Sequence, residues 1–141
     1  MKKILLLGGS SQQVKVIETA KAMGYFTVLC DYLPDNPGQY AADKFYLAST
    51  TDQASILQIA KEEQIDGILA YASDPAAPTA AYIAEQLSLA GNPYESVKTL
   101  CNKDLFREFL RKHDFNTPKS YSFSSSEAAL RSSAVFTYPL I

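Results

Sequence analysis

Tryptophan is absent from this 141-residue chain, histidine occurs once and cysteine twice. Cys30 and Cys101 form no CxxC, and His113 has no second histidine or cysteine near it, so a zinc site or a disulfide framework lacks its donors. Cys30 stands in an apolar run, where a thiol behaves as a small hydrophobe. Basic runs are missing as well. With a net charge of −2 and a pI near 5.3, nothing is set to neutralise a nucleic-acid backbone or to seek an anionic membrane surface, and neither partner is expected. The apolar run at the N-terminus, Ile4 to Leu7, is too short for a secretory leader and no small-residue cleavage site follows, so a cytoplasmic location is expected. The remainder, 47% hydrophobic and 20% charged, suits one domain large enough to bury a core.

The organising stretch is Lys3 to Gly24. Ile4 to Leu7 stops at Gly8-Gly9, passes Ser10 and Ser11, and becomes a helical pattern with Val16, Ile17, Ala20 and Met23 on one side. A strand without polar alternation is covered on both faces, which predicts an α/β fold: an open, mostly parallel sheet flanked by helices. The turn then lies at the carboxyl edge of the sheet, where helix N–H groups and two hydroxyls make a seat for an anionic group. For the glycines, the competing reading is a sterically required turn with no ligand. Gly24 caps the helix, and Phe26 to Cys30 is a second strand ending at Asp31. An acid at that position holds a ribose in dinucleotide folds, but Ser10 and Gln13 stand where the fingerprint needs its second and third glycines. Asp31 is left with two readings, a ligand hydroxyl or a loop cap.

An irregular loop is expected from Tyr32 to Asp43, over the same sheet edge, then a strand at Phe45 to Ala48. A helix capped by Asp52 follows over Gln53 to Glu63, with Ile56, Ile59 and Ala60 inward and Glu62 and Glu63 outward. Ile65 to Tyr71 reads as the fourth strand, its exit carrying Asp74, and Ala80, Ile83, Ala84 and Leu87 mark another helix. Beyond Leu89 the texture changes. A very short edge strand and turn at Leu89 to Pro93 leads to a helix over Tyr94 to Leu100. A second helix, N-capped by Asn102, runs from Lys103 to about His113 with Phe106, Phe109 and Leu110 buried. Lys103, Arg107 and Arg111 form a stripe on it, which usually means a solvated face. A strand at Lys119 to Phe123 and a short helix through Glu127 to Arg131, capped by Ser125 or Ser126, complete the pattern.

Taken together, KILLLGGSSQQ, GYFTVLCDYLPDNPGQYAADKFYL, IDGILAYASD and NKDLFREFLRKHDFNTPKSYSF resemble, in that order, the ATP-grasp ligases. The likeness covers essentially the whole chain and is nearest to carbamoyl-phosphate-synthase-like and carboxylate–amine ligases. It implies a Rossmann-like preATP-grasp domain at 1–92, and linker helices with the beginning of the ATP-grasp domain at 93–141. By the same resemblance the parent enzyme uses ATP and Mg to activate a small-molecule carboxylate as an acylphosphate for attack by an amine. Gly8, Gly9, Ser10, Asp31 and Asp74 would bind the acceptor substrate, Lys103 and Arg107 the nucleotide, and the domain could support a homodimer. Asp114 or Phe115 departs from the family, which often has glycine there. Tyr138 to Ile141 is similar to the start of the family's next strand, so a fragment of a longer enzyme, inactive alone and holding no cofactor, is expected. The alternative is a stand-alone nucleotide-binding or dimerisation module without catalysis.

Overall fold

The structure, a computed structural model, describes residues 1–136. Two compact units divide the chain, Met1–Cys101 and Asn102–Ile141. In the first, strands β1 (Lys3–Leu7), β2 (Phe26–Asp31), β3 (Lys44–Leu47) and β4 (Gly67–Leu69) make a parallel sheet in the order β3-β2-β1-β4. Helices α1 (Ser11–Ala22), α2 (Gly38–Ala41), α3 (Gln53–Glu63) and α4 (Ala77–Gln86) flank it, and α5 (Tyr94–Cys101) packs on α4. Strand side chains alternate between two cores. Leu5, Leu7, Val28 and Cys30 meet Ile56 and Ala60 of α3 and Ile83 of α4, whereas Leu6 and Leu29 meet Ile17 of α1. Burying an aliphatic side chain of this kind contributes about 1.5–3 kcal/mol, which is why the strands read as unbroken apolar runs.

The chain runs outward from β1 to β3, then returns to place β4 on the other flank of β1. That reversal opens a crevice beyond the carboxyl ends of β1 and β4, the place where doubly wound sheets take ligands.

Several local expectations are corrected. Met23 does not join the buried face of α1: the helix ends at Ala22, the chain turns at Gly24 with φ +83°, and the methionine is 68% exposed. Within Tyr32 to Asp43 the turn chemistry closes one helical turn, α2, instead of staying irregular. Glu63 points inward, because the last turn of α3 passes over the strand starts where Lys3 and Lys44 converge. The fourth strand keeps only three residues, since the Tyr71 carbonyl accepts from the Gln13 side chain rather than continuing the ladder. Leu89 to Pro93 forms no strand; Ser88 is left-handed (φ 52°) and the Leu89 N–H folds back onto the Ala84 carbonyl.

In the second unit, α6 (Lys103–Lys112) and α7 (Ser126–Arg131) bury no residue, and a 3-10 turn follows at Ser133–Val135. Phe109 is exposed and stacks on His113, ring centres 4.4 Å apart, where burial was expected. Lys119 to Phe123 makes no ladder among the described residues; Tyr121 and Phe123 pack on Phe136 instead. Ser125 caps α7 by accepting from the Ala128 N–H. The expectation for Tyr138 to Ile141 lies outside the described residues.

Candidate functional site

The loops leaving all four strands converge on one cleft of about 390 Å³. Gly8, Ser10, Ser11 and Gln13 come from the β1 exit, Asp31 to Pro37 supply the β2 side, and Thr50 and Ser73 close it from β3 and β4. Backbone proximity builds the floor. Gly8 has φ +102°, and a Cβ there would strike the Gln13 amide. Gly9 is buried: its N–H donates to Asp31 Oδ2 (2.6 Å) and its carbonyl accepts from Gly38 N–H (2.8 Å). A Cβ on Gly38 would sit 2.7 Å from Gly9 Cα, so the two backbones approach as only glycines allow.

Of the expected substrate residues, Gly8, Ser10 and Asp31 line the cleft, and Gly9 lies directly beneath. Asp31 is 6% exposed, and its other oxygen accepts from Leu33 N–H (2.8 Å). The carboxylate therefore ties the loop after β1 to the loop after β2 while still bordering the cleft. Asp74 stands apart, exposed on the β4 exit and outside the lining; with burial first, its charge helps push the Cys101 thiol up. Burial, aided by Asp31, pushes Cys30 up to about 12, consistent with a structural thiol.

Two site residues escaped the sequence reading. Gln13, 6% exposed, accepts the Ser10 N–H and hydroxyl on Oε1, both at 2.9 Å, and donates through Nε2 to the Tyr71 carbonyl at 2.9 Å. The signal was the S-x-x-Q spacing of Ser10 and Gln13, a capping box that satisfies a helix start. Asn36, 2% exposed, donates to the Leu33 carbonyl and accepts from Gln39 N–H, holding the opposite wall. Its neighbours Pro37 and Gly38 advertised a turn but not its burial.

In the second unit, Lys103 is exposed at the start of α6. Arg107 Nη1 donates to Thr117 Oγ1 (2.9 Å) and Arg111 Nη1 to Ser120 Oγ (3.1 Å), so the arginines of the stripe hold the segment after the helix. No cluster of three or more His, Cys, Asp or Glu side chains suited to a metal ion occurs among the described residues. Nor is any helix among them long and apolar enough to cross a membrane.

A doubly wound α/β domain with its cleft at the switch point is the class that fold and geometry define. No family model matches the chain. It is 30% identical over 133 residues to the phosphoribosylamine–glycine ligase of Methanosarcina acetivorans, covering 89% of this chain and 30% of that one. The formate-dependent phosphoribosylglycinamide formyltransferase of Prochlorococcus marinus is 27% identical over 143 residues, 99% of this chain and 36% of the relative. Among solved structures, phosphoribosylglycinamide synthetase from Anaerococcus prevotii superposes with a TM-score of 0.76 at 20% identity, over 98% of this chain and 35% of the other. N5-carboxyaminoimidazole synthetase from Staphylococcus aureus, complexed with ADP, gives 0.69 at 22% identity, over 98% and 36%. The chain is thus a relative of the ATP-grasp ligases and matches their N-terminal preATP-grasp domain. It spans about a third of the length of these relatives.

Proposed function

We propose that this chain provides the acceptor-substrate wall of a ligase that activates a carboxylate as an acylphosphate with MgATP and joins it to an amine. The convergence of all four strand exits on one cleft, in a chain matching these ligases along its length, is the observation that supports this reading. ATP would supply the phosphoryl group, and exclusion of water would protect the acylphosphate. Gly8, Gly9, Ser10 and Asp31 would shape the seat of the acceptor, with Asp74 at its margin. Lys103 would reach a nucleotide phosphate, Arg107 bracing the segment behind it. Residues 1–92 are proposed as the preATP-grasp domain, 93–141 as linker helices and the beginning of the ATP-grasp domain, and a homodimer as the assembly, in the cytoplasm. Assayed by itself, the 141-residue chain is expected not to turn over ATP.

The test begins with the coding frame after Ile141. Should it run on, the longer product is expected to release ADP from MgATP only when a carboxylate and an amine are both present. A stop codon there, with no neighbouring frame supplying ATPase parts and no ligand bound by the chain, would overturn the proposal.

A further inference from the structure

The proton positions around Gln13 can be assigned from its partners. Ser10 N–H can only donate and the Tyr71 carbonyl can only accept, so Oε1 must face Ser10 and Nε2 must face Tyr71; the flipped amide would oppose donor to donor and acceptor to acceptor. Oε1 carries no proton. The Ser10 hydroxyl, 2.9 Å from the same Oε1, must therefore be the donor in that contact. Its proton is committed inward, and what Ser10 offers the cleft is oxygen lone pairs.

The rest of the wall has the same polarity. The charged groups lining the cleft are Asp31 and Asp35, and none of the residues that line it is basic. Asp35 Oδ1 accepts from the Tyr40 hydroxyl at 3.3 Å and keeps acceptor capacity. The start of α1 works the other way, since helix N–H groups favour an anion, but two carboxylates beside it oppose a phosphate.

We infer that Gln13 is a positioning residue that locks the β1 exit to the β4 exit and holds Ser10 as a hydrogen-bond acceptor, so that the cleft selects the amine or hydroxyl part of a ligand over a phosphate. This rests on the reading of the cleft as an acceptor-substrate site, and it runs against the anionic seat expected from the sequence. The link is direct: one carboxamide spans Ser10 and Tyr71, 61 positions apart in the chain, across the switch point. A methionine at position 13 would fill the space while losing the bonds to Ser10 and to Tyr71. A glutamate would keep the acceptor for Ser10 and lose the donor to Tyr71.

The experiment titrates the isotope-labelled 141-residue chain with ethanolamine and with inorganic phosphate, at constant ionic strength, following backbone amide resonances. Ethanolamine is expected to shift Ser10, Asp31 and Ser73 saturably and to bind at least about tenfold tighter than phosphate. Gln13→Met should abolish that preference and speed hydrogen exchange at the Ser10 amide, while Leu5 and Val28 in the sheet stay protected, so the change is not unfolding. Gln13→Glu should restore slow exchange at Ser10 and ethanolamine binding. Phosphate binding as tight as ethanolamine, or Gln13→Met binding ethanolamine like the parent, would overturn the inference with the site reading intact. If neither probe shifts the cleft amides, the site reading fails, and the inference with it.

Discussion

Two buried acids sit at opposite edges of the same sheet and are neutralised by different means. Asp31, at the carboxyl edge, receives backbone N–H groups from Gly9 and Leu33. Glu63, at the amino edge, receives side chains: Lys3 Nζ at 3.0 Å, Lys44 Nζ at 2.5 Å and the Tyr46 hydroxyl at 2.6 Å. Both are 6% exposed. Backbone donors fix the course of loops, so Asp31 shapes a cleft, whereas the lysines come from two strands and fasten α3 across the sheet. Charge-assisted bonds of either sort are the strong ones, and the first arrangement borders the cleft.

The largest effect should come from the glycine contact that the cleft depends on. Gly38→Ala places a Cβ against Gly9 Cα and Ile17, and is expected to cost about 3 kcal/mol as overpacking, read as a lower midpoint in urea with an unchanged slope. A midpoint equal to the parent's would mean the two loops can separate freely. Next, Asp31→Asn retains one acceptor but turns an N–H₂ toward a backbone donor, an expected loss of about 2 kcal/mol. Its amide spectrum should change around Gly9 and Leu33 while the Lys3 and Lys44 region stays as it was. Changes spread evenly over both edges would erase the contrast between them.

Glu63 sharpens the comparison through pH. The hydrogen bonds from Lys44, then Tyr46 and Lys3, hold its carboxyl down at about 2, against an ordinary value of 4.5. A depressed carboxylate stabilises the fold above its unfolded value, and that contribution disappears as pH falls. Stability is therefore expected to drop between about pH 4.5 and pH 2 because of this group. Glu63→Gln should be about 2 kcal/mol less stable at neutral pH and show a shallower loss through that window. Equal acid sensitivity in parent and variant would assign the loss to other groups, among them Asp43. There burial raises the carboxyl, but bonds from Lys21 and Thr27 outweigh it and lower it.

Much of the first unit was legible because its strands are covered on both faces, which leaves unbroken runs such as Ile4 to Leu7. Gly8, Ser10 and Asp31 could be placed at the cleft because strand exits in a parallel sheet share an edge. Glu63 was misjudged and Gln13 passed over for a common reason. Polar residues on helices are assumed to face water, and only partners distant in the chain, Tyr71 for one and Lys3 and Lys44 for the other, draw them inward. Lys119 to Phe123 fails in the opposite sense: alternation marks a chain that can be extended, but a ladder needs a neighbour, and none pairs with it among the described residues.

Sequence by itself settled the alternation of strands and helices, the glycine turn after β1 and the kinship with ATP-grasp ligases, because these follow from local periodicity and from the order of motifs. Tertiary structure decided which acid is held by backbone and which by lysines, and which oxygen of the Gln13 amide environment faces the cleft. Hydrogen bonds between groups distant in the chain carry those outcomes, 22 positions from Gly9 to Asp31, 58 from Gln13 to Tyr71 and 60 from Lys3 to Glu63. Folding alone brings such groups within reach.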